Sequence, residues 1–126
     1  MDKPLFDLNE VQAEPIGIKV LNELPSHKNP DYSMAIIGEA PGIEEVKLRR
    51  PFVGPDGRII RGLLGNAGIA TTHVLIGNIC QYRPPRDNIN AFEWNGTEIR
   101  EGLEQLKHDI EYTDPNVVVL LGKTAM

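Results

Sequence analysis

The sequence is short of the residues that build covalent and metal frameworks. Its 126 residues contain one cysteine, Cys80. No disulfide can form within the chain, and a thiolate-based zinc or iron–sulfur site would lack its usual three or four ligands. The three histidines, His27, His73 and His108, are scattered and show no metal-ligand spacing, so no metal site is expected. No apolar run approaches the ~20 residues that a membrane span requires. The opening residues Met1-Asp2-Lys3-Pro4 carry no apolar signal core, and we therefore expect a cytoplasmic protein without a membrane partner. Internal repeats and low-complexity runs are absent. Positive charge is not in excess either: the net charge of −5 argues against a strong non-specific nucleic-acid binder, which needs Lys and Arg for phosphate contacts. Local clusters remain, because Arg49, Arg50, Arg58 and Arg61 lie close together, as do Arg83 and Arg86. An acidic protein can still carry one basic groove.

What is present suffices for one domain. Apolar residues make up 40% of the chain and charged residues 25%. Residues 1–32 are rich in Pro and Asn and read as an N-terminal arm or packed extension, with Ile16-Gly17-Ile18-Lys19-Val20-Leu21 either a short strand or a packed segment. Residues 33–126 form the main domain. Ser33-Met34-Ala35-Ile36-Ile37-Gly38, Thr72-His73-Val74-Leu75-Ile76-Gly77-Asn78 and Asn116-Val117-Val118-Val119-Leu120-Leu121-Gly122 each predict a buried strand. Ile59, Ile60, Leu63 and Leu64 recur at helical spacing over residues 58–64, and Gly65 or Gly68 would end that helix. Residues 97–112 give the clearest helix, with Thr97 as a plausible N-cap and Ile99, Leu103, Leu106 and Ile110 on one stripe. Strands alternating with helices imply right-handed crossovers and a parallel sheet covered on both faces. Ligands in such α/β sheets bind beyond the carboxyl ends of the strands, where this chain places most of its unusual residues.

Each of those residues admits two readings. Gly38-Glu39-Ala40-Pro41-Gly42 is either a turn that needs Gly and Pro for shape or a loop whose backbone approaches a ligand closely. Phe52, in Pro51-Phe52-Val53-Gly54, either plugs the core or stacks on a base. Asn78 either caps a turn or offers its acceptor and two donors to the edge of a uracil-like base. Arg83-Pro84-Pro85-Arg86 either contacts phosphates or stays solvated. Cys80 reads as a small packed apolar residue, and His73 as a surface or satisfied histidine.

Taken in order, Gly38-Glu39-Ala40-Pro41-Gly42-Ile43-Glu44-Glu45, Pro51-Phe52-Val53-Gly54, Gly57 with Ile59-Ile60, Asn78, Arg83-Pro84-Pro85 and Leu121-Gly122 resemble the uracil-DNA glycosylase superfamily. They look most like its thermophile-type branch, whose members usually carry a 4Fe–4S cluster. The resemblance runs from about Met34 to Ala125. It implies a three-layer α/β/α sandwich around a four-stranded parallel sheet, with three strands visible here and the fourth expected beyond the C-terminus. It also implies hydrolysis of the N-glycosidic bond of uracil in DNA, with uracil-containing DNA as partner and free uracil as product. The implied catalytic positions are Glu39, Ala40 and Glu45. The implied uracil-binding positions are Phe52, stacked on the flipped base, and Asn78, reading its edge. Arg83, Arg86, Arg49 and Arg50 are the expected DNA contacts. The domain type also occurs fused or related to phage-type DNA polymerases, which makes a polymerase a candidate partner.

Three departures from the family pattern bear on chemistry. Tyr82 stands where the cluster-bearing branch has a Cys ligand, and no Cys-x-x-Cys precedes the first strand, so no iron–sulfur cluster and no other cofactor is expected. Ala40 stands where other branches place a water-activating Asp, which leaves Glu39, Glu45 or a held water as base. The family's second motif, a His-Pro-Ser type loop, is expected after Met126, so the alternative to an enzyme is a non-catalytic DNA-binding or polymerase-associated module that keeps the fold. A sheet lacking its fourth strand would also offer an open edge for self-association.

Overall fold

The computed structural model of the chain describes residues 17–122. Residues 1–16 of the expected arm, the end of the matched stretch at residues 123–125 and the fourth strand expected after Met126 lie outside the described residues. Three strands, β1 (Met34–Gly38), β2 (Val74–Asn78) and β3 (Val117–Leu120), pair in parallel in the order β2–β1–β3. Ile36 lies opposite Ile76 on one side and Val119 on the other. Three helices accompany them: α1 (Ile43–Leu48), α2 (Pro55–Asn66) and α3 (Thr97–Thr113).

The alternation of side chains along each strand sends residues to opposite faces of the sheet. Ala35, Ile37 and Leu75 pack against Leu106 of α3, with Ile110 joining them. Ile36, Val74 and Ile76 pack against Leu64 of α2 on the other face, with Ile60 added. Helix, sheet and helix therefore form three layers, as the alternating pattern predicts. A third cluster joins Ile99 of α3 to Cys80, Tyr82 and Ile89 beyond the end of β2.

Several sequence expectations need correction. The third strand is not buried: Val117, Val118 and Leu120 are 49%, 43% and 57% exposed. Its apolar run is the same as that of a central strand, but among the described residues β3 pairs with β1 alone, and α3 packs on Ala35, Ile37 and Leu75 of β1 and β2. The expected N-cap Thr97 is the first helical residue of α3, and Gly96 takes the cap position without a side-chain bond. Helix α2 begins at Pro55, three residues before the expected span of 58–64, because proline at the first helical position loses no hydrogen bond and brings its φ already set. The acidic stretch after Gly42, where no apolar spacing points to a helix, contains α1.

The arm closes the outer edge of β2. Glu23 exchanges both backbone hydrogen bonds with Ile76, at 2.7 and 2.9 Å, and the Val20 N–H donates to the Gln81 carbonyl at 2.8 Å. Among the described residues, the unpaired sheet edge is that of β3. No helix among them is long and apolar enough to cross a membrane.

Candidate functional site

A crevice of about 590 Å³ opens at the carboxyl ends of the strands, and its walls include Gly38, Glu39, Phe52, Asn78, Leu121 and Gly122. The structure thus brings together the loop after β1, the Phe52 turn and the last residue of β2. Parallel pairing sets Gly38 directly beside Asn78. Glycine matters at this position because a Cβ on Gly38 would lie 2.7 Å from Asn78 Oδ1 and 2.8 Å from the Phe52 ring. The aromatic ring and the carboxamide therefore both close on the backbone of Gly38, where a side chain would not fit. Asn78 is 2% exposed, and among the described residues its Oδ1 has no hydrogen-bond partner. An unpaired buried acceptor costs ~1–3 kcal/mol, and a donor brought by a ligand would remove that cost.

Phe52 is held in place by several groups. Its backbone is left-handed (φ 56°), a conformation that costs a non-glycine residue about 1–2 kcal/mol. Helix α2 approaches so closely that a Cβ on Gly57 would lie 2.2 Å from the Phe52 carbonyl carbon. Arg61, one turn further along α2, donates from Nε to the Phe52 carbonyl and from Nη2 to the Pro51 carbonyl, both at 2.8 Å. The same guanidinium reaches Glu23 of the arm at 3.2 Å. The sequence showed Arg61 only as one charge in a cluster. Its fixed position behind Phe52 comes from the packing of α2, which charge spacing does not reveal.

The two carboxylates that the resemblance singles out, Glu39 and Glu45, differ in setting. Glu45 Oε1 accepts from the Gly42 N–H at 3.0 Å, while Oε2 accepts from the Val53 and Gly54 N–H groups at 2.9 and 2.5 Å. Both of its oxygens thus tie the start of α1 to the Phe52 turn. Glu39 lies on the crevice wall against Gly122, where a Cβ would sit 2.6 Å from Glu39 Oε1. Ala40 packs its methyl group on the cluster around Cys80 and Ile89.

The expected DNA contacts divide in the same way. Arg50 is paired with Glu23 at 3.0 Å. Arg83 is paired through Nε and Nη2 with Asp87, at 2.8 and 3.0 Å. That hydrogen bond holds the Asp87 carboxyl below the usual carboxylate range and raises the Arg83 guanidinium. Arg49 and Arg86 stand exposed on left-handed backbone at the end of α1 and in the loop after β2.

Tyr82, at the position where the resemblance implies a cluster ligand, is buried and donates its hydroxyl to Glu101 at 3.1 Å. Lys19 pairs with the same carboxylate and lies 6.0 Å from the Tyr82 ring centroid. Burial, and then the bond to Glu101, push the Tyr82 hydroxyl above its ordinary value. Cys80 is fully buried and turns its thiol to the Tyr82 carbonyl. Among the described residues no group of three or more His, Cys, Asp and Glu is placed to hold a metal. This donor set does not fit an iron–sulfur cluster. Purified protein should accordingly be colourless, and a broad visible absorbance that bleaches on reduction would overturn this.

Comparison with known proteins converges on one family. Residues 25–126 match the family model described as the uracil DNA glycosylase superfamily. The chain is 35% identical to a type-4 uracil-DNA glycosylase of Thermotoga maritima over 90% of this chain and 57% of that protein. It is 32% identical to that of Archaeoglobus fulgidus, over 82% and 50%. It is 31% identical to that of Pyrobaculum aerophilum, over 80% and 50%. The chain spans about half the length of the curated relatives it matches.

Proposed function

The chain belongs to the uracil DNA glycosylase superfamily, in its thermophile-type branch, and from that premise we propose that it takes a flipped uracil into its crevice and takes part in hydrolysing the N-glycosidic bond to DNA. The observation that carries this reading is the orphaned Asn78 Oδ1 beside the Phe52 ring on the crevice wall, both packed against Gly38. Uracil presents an N3–H donor and an O4 acceptor side by side. A carboxamide presents the complement, Oδ1 for N3–H and Nδ2 for O4. Stacking on Phe52 contributes about 1–3 kcal/mol of sequence-tolerant attraction, so Asn78 supplies the discrimination.

Extruding the base costs a few kcal/mol of stacking and pairing, least in single strands. As the bond between C1′ and N1 breaks, positive charge develops on the sugar and the departing base becomes an anion. The Asn78 Nδ2 donor at O4 stabilises that anion, and preorganised donors of this kind are worth about 3–4 kcal/mol each. Water adds to C1′ and loses a proton, while the electron pair of the broken bond leaves with uracil. Glu39, on the crevice wall, is the carboxylate we assign to the water and the cationic sugar. Arg49 and Arg86 are the arginines we assign to phosphates.

Two measurements test the reading. Free uracil titrated into isotope-labelled protein should shift resonances of Gly38, Val53 and Asn78; shifts confined to residues 97–112 would sink it. A single-stranded oligonucleotide carrying one uracil should become alkali-labile at that site. Oligonucleotide binding that ignores uracil and releases none would favour the non-catalytic module. A substitution sharpens the test. Gly38→Ala places a methyl group within 2.8 Å of both the Phe52 ring and the Asn78 carboxamide. We expect it to weaken uracil binding at least about tenfold, as the loss of one such polar contact would. Wild-type affinity in that variant would place the base elsewhere.

A further inference from the structure

Behind Asn78, on the side away from the crevice, the arm makes an irregular join. Glu23 pairs with Ile76 and Lys19 with Tyr82 in antiparallel fashion. Lys19 lies four residues before Glu23, whereas Tyr82 lies six residues after Ile76, so the register slips between the two bridges. In an unbroken ladder the next backbone donor of β2, the Asn78 N–H, would meet the Leu21 carbonyl. Instead it donates to the side-chain Oδ1 of Asn22 at 3.2 Å. The Asn22 carboxamide lies so close over Gly77 that a Cβ there would be 2.2 Å from Oδ1. Its Nδ2 donates in turn to Asp109 Oδ2 at 2.9 Å. Asp109, on α3, is 4% exposed, and its other oxygen accepts from Gln105 at 2.9 Å.

We infer that Asn22 is a positioning residue for base recognition. It substitutes for the missing ladder bond and fixes the backbone of Asn78, and so the direction in which the Asn78 carboxamide faces the crevice. Asp109 fixes Asn22 by accepting from its amide, which determines that the oxygen and not the nitrogen faces the Asn78 N–H. The arrangement has a stated polarity: a carboxamide at 22 between a donor on β2 and a carboxylate on α3. Exchanging the two side chains keeps that polarity, since a carboxylate at 22 accepts from both the Asn78 N–H and a carboxamide at 109. This inference rests on the reading of Asn78 as the residue that pairs with uracil.

The test compares wild type, Asn22→Ala, Asn22→Asp and the exchange Asn22→Asp with Asp109→Asn. Free uracil is the probe, read by titration, and the Asn78 side-chain amide resonances are read in the ligand-free protein. Asn22→Ala should weaken uracil binding about tenfold or more and displace the Asn78 amide resonances. Asn22→Asp alone sets two carboxylates against each other and should do the same. The exchange should return both readouts to the wild-type values, and it decides the matter even if Asn22→Ala fails to fold. Undiminished uracil affinity in Asn22→Ala, or an exchange variant that regains its melting temperature but not its uracil affinity, would overturn the inference. If wild type itself ignores uracil, the reading of the crevice fails. The positioning role then stands or falls on whether the Asn78 amide resonances follow the residue at 22.

Discussion

Asn78→Asp is expected to lower uracil release from DNA by about ten- to a hundredfold or more, with a melting temperature that falls at neutral pH and recovers as the new carboxyl is protonated. The side chains are almost the same size, so packing beside Gly38 and Phe52 is kept. The acceptor that faces uracil N3–H is kept as well. What changes is one atom: the donor aimed at O4 becomes an acceptor, and two groups that should pair repel each other. The loss belongs in the chemical step as much as in binding, because O4 gains negative charge as the glycosidic bond breaks, and repulsion grows with it. The position is 2% exposed, and burial disfavours a charged carboxyl. Lowering the pH protonates the new carboxyl and restores an O–H donor at the place of the lost amide. Uracil binding by the variant should therefore recover as pH falls, while wild-type binding stays level over the same range. Preference for uracil over cytosine should also shrink, since the exocyclic amine of cytosine is a donor. If Asn78 only caps the end of β2, Asp caps as well and base preference will not move. Matched single-stranded oligonucleotides carrying uracil or cytosine, assayed across pH beside a thermal melt, separate the two outcomes.

The parts of the fold that local pattern determines were legible in the sequence. Ala35–Ile37 and Val74–Ile76 are continuous apolar runs because both faces of the sheet are covered there; on the stripe of α3, Leu106 and Ile110 meet Ala35, Ile37 and Leu75 and Ile99 meets Cys80, while Leu103 is 47% exposed. The position of Asn78 opposite Gly38 follows from those two runs once they pair in parallel. The rest depends on contacts between distant segments. Helix α1 was not legible because none of its residues is buried and its entry is held by the Glu45 side chain. The exposure of β3 was not legible because its apolar run carries no record of how far α3 reaches. Asn22 is 56 residues from the N–H it accepts from, and its role arises from a slip in register that no spacing rule encodes. Glu23, which joins Arg50 and Arg61 behind the Phe52 turn, was missed for the same reason. The one local signal was Gly77, a glycine inside a strand, which marks close approach of another group.

Glu45→Ala should have the largest effect on the molecule as a whole, and the form of its loss decides what Glu45 does. The resemblance makes it a candidate catalytic carboxylate, yet its two oxygens accept from three backbone N–H groups, of Gly42, Val53 and Gly54. Hydrogen bonds to a charged acceptor contribute about 1.5–3 kcal/mol each, and removing the acceptor leaves the donors unpaired. Truncation should therefore cost on the order of 3 kcal/mol of stability, and the Phe52 turn should lose its order. Left-handed backbone at Phe52 persists only while its surroundings enforce it. Releasing Val53 and Gly54 frees the residue to relax, and the aromatic face leaves the crevice. Uracil affinity should then fall together with the melting temperature. Glu45→Gln separates this from a role in proton transfer. A carboxamide has one oxygen: turned towards Val53 and Gly54, it keeps the Phe52 turn but sets an N–H₂ against the Gly42 N–H. That variant should retain part of the stability and part of the uracil affinity, with uracil release reduced in proportion to binding. A general base behaves otherwise. Its Gln variant would bind free uracil as wild type does and melt at the wild-type temperature, but release almost none from DNA. Thermal melts, uracil titrations and single-turnover release on the same two variants distinguish the cases, and intact binding with abolished release would return Glu45 to the chemistry.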